Sequence, residues 1–201
     1  NVPVTMGGWF REPVGGVSDL TELGMRIPGM GGEIMSRRGV TVQVLGAPEI
    51  DPALERGAID ATEWVGPHDD EKLGFHQVAK HYYYPGWWEP GSTTSLMISR
   101  EAWDELPTAY QEILKTACGD ILSWTLAAYD EADPAALKRL SQEHGVTLHE
   151  FSSEIMEAAW RESNAYLEEQ AADDPVFRTV FESFSSFRNQ AFPYSTGNEG
   201  S

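Results

Sequence analysis

Two short stretches constrain this chain more than any other feature: Ala61-Thr62-Glu63-Trp64-Val65-Gly66-Pro67 and Tyr82-Tyr83-Tyr84-Pro85-Gly86-Trp87-Trp88-Glu89-Pro90-Gly91. Each couples a carboxylate to tryptophan and then halts at proline and glycine. A strand ending this way delivers a charge and a large flat ring to a sheet edge and turns away at once. Burying a carboxylate is costly unless it is paired, hydrogen-bonded or bound to a cation. A glutamate boxed in by aromatic rings therefore calls for a metal, an arginine or solvent. Either stretch alone reads equally well as surface carboxylates beside core tryptophans. Two of them, joined by one short helix, read better as a pocket wall.

The surrounding pattern alternates strands and helices. Val40, Val42 and Val44 alternate with Thr41 and Gln43, as in a strand. Asp51-Pro52 opens a short helix that Gly57 closes, and 58–65 is the next strand. This rhythm predicts a parallel sheet with ligands at the carboxyl ends of its strands, where Glu63 and Trp64 stand. Residues 68–80 are expected as a surface helix and 93–99 as a strand. A long helix starts at Pro107, with Tyr110, Ile113, Leu114, Ala117, Ile121 and Trp124 on a broad apolar face. Pro134 lacks a donor and is expected to break it, a further helix then running to His144. A last strand, 146–151, precedes two helices. The second opens at Asp174-Pro175 and carries Phe177, Val180, Phe181, Phe184 and Phe187 on one stripe. That stripe fits packing within one domain or contact between two copies equally well.

Charge narrows the chemistry. Acidic residues outnumber basic ones 32 to 14, for a net charge of -18, which speaks against nucleic acid and against an anionic membrane surface. Cys118 is the single cysteine, so an internal disulfide is excluded, and it is expected as a small core residue. The chain has no Gly-x-Ser-x-Gly, no phosphate loop and no His-Glu-x-x-His. His76 and His81 fall on different faces of the expected helix and read as packing or surface residues rather than zinc ligands. Asp69, Asp70 and Glu71 read as first-turn acids complementing a helix dipole.

What remains is a set suited to binding. Arg26, at a strand end among apolar residues, is a natural clamp for a carboxylate. Glu63 and Glu89 offer oxygen ligands to a hard cation. Trp9, Phe10, Trp64, Trp87 and Trp88 offer the apolar walls of a small-ligand site.

Four blocks then stand out together: Met6-Gly7-Gly8-Trp9-Phe10-Arg11, Leu23-Gly24-Met25-Arg26-Ile27-Pro28, residues 53–67 and residues 82–90. In order and spacing they resemble the DctP family, the extracytoplasmic solute-binding proteins of tripartite ATP-independent periplasmic (TRAP) transporters. The nearest branch binds 2-oxo and 2-hydroxy acids such as pyruvate and lactate. The resemblance extends from Val4 to Phe192. It implies an α/β, periplasmic-binding-protein type II-like fold, two lobes with a long connecting helix, the first lobe incomplete in this chain. Residues 1–91 would form the second lobe with a hinge strand, and 92–145 the returning strand and connecting helices. Residues 146–192 would hold the last strand and C-terminal helices, with a dimer-swap helix at 175–191, and 193–201 a tail.

The resemblance also implies roles. Arg26 would salt-bridge the ligand carboxylate. A metal ion, sodium or calcium, would be held by the side chain of Glu63, the carbonyl of Trp64 and the side chain of Glu89. The branch carries glutamine before Met6-Gly7-Gly8 as a further metal ligand, and Thr5 stands there here. A non-enzymatic periplasmic protein follows, its export signal outside this chain. Its partners would be a small organic acid, the TRAP membrane subunits and a second copy bound through the C-terminal helix. The alternatives are a metal-dependent lyase or hydrolase using Glu63 and Glu89, which lacks a candidate general base beside them, and a truncated scaffold that binds nothing.

Overall fold

The structure, a computed structural model, describes residues 4–198. It comprises two compact units, one ending at Met156 and the other beginning at Glu157. The first is built on a six-stranded sheet of order β3-β2-β4-β1-β5-β6. The strands are β1 (Gly8–Phe10), β2 (Gly24–Arg26), β3 (Thr41–Gln43), β4 (Ala61–Thr62), β5 (His81–Tyr84) and β6 (Thr147–Glu150). β2 pairs in parallel with β3 and β4, and β5 with β6, but β1 runs antiparallel to both of its neighbours. The sheet is therefore mixed, not parallel as expected: the strand-helix rhythm begins after β1 and carries no information about its direction.

β1 separates two apolar cores because its successive side chains point to opposite faces. Phe10 packs with Met25, Ile27, Tyr83 and Phe151 on one side. Trp9 packs with Ile50, Leu54, Phe75, Tyr82 and Leu140 on the other. Gly8 lies between them at φ +97°, where a Cβ would stand 2.6 Å from the Thr62 carbonyl oxygen. Only glycine lets β1 and β4 approach this closely.

The helices are α1 (Gly29–Arg37), α2 (Ala47–Glu55), α3 (Pro67–Leu73), α4 (Arg100–Glu105) and α5 (Thr108–Gln142) in this unit. α2 starts earlier than expected because Gly46 and Pro48 already suit a first turn, and the Gly46 amide donates to the Glu49 carboxylate at 2.8 Å. Pro52 is thereby left inside the helix. The helix expected over 68–80 stops at Gly74, whose φ of +83° is left-handed, and a 3-10 turn over Phe75–Gln77 follows.

α5 runs unbroken through Pro134, contrary to the expected break. Contacts with α3 flank the proline on both sides. The Tyr129 hydroxyl donates to Asp69 at 2.5 Å, the His68 amide to Asp133 at 3.0 Å, and Arg139 Nε to Glu71 at 2.9 Å. Farther back, Tyr110, Ile113, Ile121 and Trp124 are exposed, as is Cys118. Residues 93–99 form no strand, with Leu96 and Met97 exposed. Periodicity names the face that would gain from burial; it does not supply the surface that covers it.

The second unit contains most of α6 (Ser153–Asp173) and all of α7 (Pro175–Asn198). Asp174 caps α7, accepting from the Val176 and Phe177 amides at 2.7 and 3.1 Å. Val176, Val180, Phe184, Phe187 and Phe192 are exposed along it. α7 continues to Asn198 through the stretch expected as a tail, whose last residues, 199–201, lie outside the described residues.

Among the described residues, the most buried carboxylate is that of Asp70. It lies in the first turn of α3, as expected, and is also a buried acceptor, 1% exposed, joining three segments. Its Oδ2 accepts from Trp9 Nε1 at 2.9 Å and the Tyr82 hydroxyl at 2.7 Å, and its Oδ1 from the Val65 amide at 3.1 Å. The Trp9 and Tyr82 rings stack at 3.9 Å. Burial pushes the Asp70 carboxyl up to about 6, with the Trp9, Tyr82 and Val65 donors drawing it back. Asp70→Asn turns an acceptor into a donor facing other donors. It is expected to cost about 2–3 kcal/mol in urea unfolding, the range for a buried charge-assisted hydrogen bond. An unchanged unfolding midpoint would contradict this role.

Candidate functional site

Because β2 and β4 are parallel neighbours, their carboxyl ends lie side by side. Arg26, the last residue of β2, is opposite Thr62, and the Glu63 amide donates to the Arg26 carbonyl at 3.2 Å. The same register places the two side chains together. Arg26 Nε donates to the Leu45 carbonyl at 3.1 Å, and Nη1 to the Glu63 carbonyl at 3.0 Å and to the Glu63 carboxylate. The guanidinium lies 5.0 Å from the centre of the Trp64 ring, in the range of a cation–π contact. Arg26 is 8% exposed and Glu63 5%. Nη2 is engaged by no described residue, so one edge of a rigidly held guanidinium stays available.

Glu63 forms part of the lining of a hollow of about 410 Å³, with residues 27–31, Trp88 and Glu89. Residues 27–31 carry the chain from β2 into the first turn of α1, the glycine-rich junction whose free amides favour an anion. Arg26 is not in the lining; it stands against the Glu63 carboxylate that is. Burial raises the Glu63 carboxyl to about 7, Arg26 opposing the rise and the charges of Glu89 and Asp70 adding to it. Glu89 is exposed and accepts a hydrogen bond from the Ser92 hydroxyl at 2.7 Å.

This donor set fits a hard, oxygen-seeking cation. Two carboxylates share one hollow, the charge of Glu89 opposing the ionisation of Glu63, and a cation between them would relieve that opposition. Thr5 adds a further oxygen nearby: it is 3% exposed, and its hydroxyl has no partner among the described residues. A Cβ on Gly86 would sit 2.8 Å from Thr5 Oγ1, the Thr5 carbonyl and the Met6 carbonyl. That oxygen-lined notch belongs to the turn carrying Glu89, whose amide donates to the Gly86 carbonyl at 3.3 Å. No cluster of three or more His, Cys, Asp or Glu residues able to hold a metal occurs among the described residues. Carbonyls, water or ligand would complete the coordination.

The structure thus brings Arg26, Glu63 and Trp64 together, and Glu63, Glu89 and Trp88 together. Trp87 is one shell back, edge-on to Trp88 at 5.1 Å. Trp9 and Phe10, expected as pocket walls, are core residues, 0% and 1% exposed, and line no part of this hollow. β1 is an inner strand with both faces covered, so its aromatics pack the cores instead. Asp70 and Thr5 were visible in the sequence only as a first-turn acid and as a replacement for glutamine; their burial, and the partners of Asp70, were not.

The sequence model of the DctP family, bacterial extracellular solute-binding protein family 7, matches residues 3–174. A monocarboxylate 2-oxoacid-binding periplasmic protein of Nostoc sp. is 51% identical over 194 residues, covering 96% of this chain and 53% of that protein. Among solved structures, a TRAP transporter solute-binding protein from Bordetella bronchiseptica superposes with a TM-score of 0.94 at 40% identity. The match covers 99% of this chain and 59% of that one, a mixed-occupancy dimer with copurified calcium and picolinate in the active site versus an apo site. A TRAP periplasmic solute-binding protein from Pseudoalteromonas atlantica, with bound sodium and pyruvate, gives 0.86 at 34% identity, covering 98% of this chain and 60% of that one. The corresponding protein from Colwellia psychrerythraea, with calcium and pyruvate, gives 0.88 at 34%, with the same coverage. The chain thus spans about half the length of the curated relative and three fifths of the solved structures.

Glu63 carries a pH signature. Its folded value, about 7, lies above the ordinary 4.5, so the fold favours the protonated form. The penalty is complete above about 7 and is relieved as the pH falls toward 4.5. Without added cations, urea unfolding of the parent should gain about 2 kcal/mol more than that of Glu63→Gln between pH 7.5 and 5, the variant keeping the smaller dependence of the same sign that comes from Asp70, pushed up to about 6. The same pH dependence in the variant would assign it elsewhere.

Proposed function

The chain belongs to the DctP family of bacterial extracellular solute-binding proteins, and from that premise we propose that it captures a small carboxylate together with a metal ion for a TRAP transporter. The carboxylate is a 2-oxo or 2-hydroxy acid such as pyruvate or lactate, the ion is sodium or calcium, and the recipient is the transporter's membrane subunits. The observation that carries this reading is the buried Arg26–Glu63 pair beside the hollow, with the Nη2 edge of Arg26 unengaged. Nε and Nη1 are occupied by backbone and Glu63, which fixes the plane of the guanidinium before any ligand arrives. The free edge then meets a carboxylate at little entropic cost.

The Glu63 side chain, the Trp64 carbonyl and the Glu89 side chain would hold the ion, which supplies positive charge between the two glutamates and an anionic ligand. With it in place Glu63 stays ionised and remains paired with Arg26. Trp64 over Arg26 and Trp88 in the wall keep water from the charged groups and strengthen their attraction.

Capture and release is the work of this family, and the chain acts in that way rather than by turnover, in the periplasm. No helix among the described residues is long and apolar enough to cross a membrane. Residues 1–91 serve as one lobe with its hinge strand, and α5 as the connection to the other. The exposed apolar stripe of α7 supports a homodimer through the C-terminal helix, 175–191.

Calorimetric titration with pyruvate in the presence of calcium tests this directly. Arg26→Ala is expected to weaken pyruvate binding by about 2–4 kcal/mol, the cost of removing one partner from a buried charged contact. Glu89→Gln should lower calcium affinity about tenfold, because ligand charge sets affinity at such sites. Pyruvate affinity unchanged in Arg26→Ala would remove that residue from the site, and a parent chain that binds neither pyruvate nor calcium would overturn the reading.

A further inference from the structure

Four of the protein's five histidines face one another in two pairs, His76 with His144 and His81 with His149. The spacing is five residues on each side, so the pairs lie along one seam. It joins residues 76–81, leading into β5, to residues 144–149, leading from α5 into β6. Backbone hydrogen bonds accompany it: the Thr147 amide donates to the Lys80 carbonyl at 2.8 Å and the Phe151 amide to the Tyr84 carbonyl at 2.9 Å.

In the second pair, His81 Nδ1 and His149 Nε2 are 2.9 Å apart. Such a contact requires one nitrogen to donate and the other to accept, so it tolerates one added proton and not two. The His149 ring also stacks on Tyr83 at 4.8 Å, and the Tyr83 hydroxyl is committed to the Val14 carbonyl at 3.0 Å. Burial, and after it the charge of His81, lower the pKa of His149.

In the first pair the rings are 4.3 Å apart. His76 is 8% exposed, and its Nδ1 has no hydrogen-bond partner among the described residues. The charged groups around this pair are Glu71, Arg139, Lys80 and Glu143. Glu71 lies 3.8 Å from His144 Nε2 but is held by Arg139, on which Glu143 also acts. Lys80 Nζ donates to the His144 carbonyl at 3.0 Å and adds a positive charge felt by His76. A second proton here meets two cations and two anions, and both anions are already engaged with Arg139.

A metal is a poor alternative. With nitrogens 2.9 Å apart and centroids 5.1 Å apart, the His81 and His149 rings meet end to end, and an ion between them would have to push them apart.

We propose that this double-histidine seam is an acid-triggered release, in which a second proton on each pair frees β6 and the end of α5 from β5 and the 3-10 turn while the inner strands hold. Burial and the neighbouring histidine keep His76 and His149 below the ordinary histidine range, His76 being lowered by Lys80 as well. The neutral forms are therefore favoured in the fold, and the seam's contribution is lost as the pH falls. The inference does not depend on what the hollow binds.

Amide hydrogen exchange of the intact chain between about pH 7 and pH 5, corrected for intrinsic rates, tests the seam, since this is the interval in which histidine titrates. The Thr147 and Phe151 amides should lose protection about tenfold or more, one pKa unit of coupling being a factor of ten, while those of β1 and β4 do not. The double variant His144→Gln/His149→Phe keeps a ring on Tyr83 and should abolish the pH dependence. Should it fail to fold, a proton NMR titration of the parent replaces it, with the His81 and His149 resonances moving in two linked steps, the second coinciding with the loss of protection. Protection that ignores pH, an unaltered loss in the double variant, or four histidines titrating independently would each overturn the proposal.

Discussion

A buried guanidinium–carboxylate pair, Arg26 with Glu63, is the contact on which the site depends. Its geometry is inherited from the sheet: parallel β2 and β4 end together, so a charge at each end falls into register. Desolvating both groups is expensive, and removing either strands the other. The hydrogen bonds to Leu45 and to the Glu63 carbonyl offset part of that expense, and Trp64 covers the guanidinium face. Asp70 illustrates the other solution available to this strongly acidic chain. It is held by neutral donors alone and ties β1, β5 and the turn after β4 together without any cation. One buried carboxylate thus organises the fold, and the other organises the hollow.

The legible part of the sequence was its punctuation and its strand ends. Glu63-Trp64 ahead of Gly66-Pro67, and Arg26 ahead of Pro28, mark chain that must turn just after delivering a charge, and both charges do end beside the hollow. Illegible were features set by partners distant in sequence. Trp9 reads alike as a wall or as core until the Asp70 carboxylate and the Tyr82 ring are placed against it. The direction of β1 depends on the strands that flank it. Pro134 is tolerated because α3 grips α5 on both sides of the proline, a fact of residues 68–71 rather than of residue 134. Likewise the periodic face of α5 was visible, whereas its exposure was not.

Over nearly its whole length the chain superposes on structures that hold a carboxylate and a hard cation together. Its own hollow presents two carboxylates, Glu63 and Glu89, and Arg26 stands behind the first of them. Thr5 adds a buried hydroxyl, without a partner among the described residues, beside the turn that carries Glu89.

The solitary thiol of Cys118, exposed on α5, has a practical consequence. A maleimide dye or nitroxide would attach to one known position on the long helix without any engineered residue, so that movement of α5 could be followed by fluorescence or electron paramagnetic resonance in the unmutated chain.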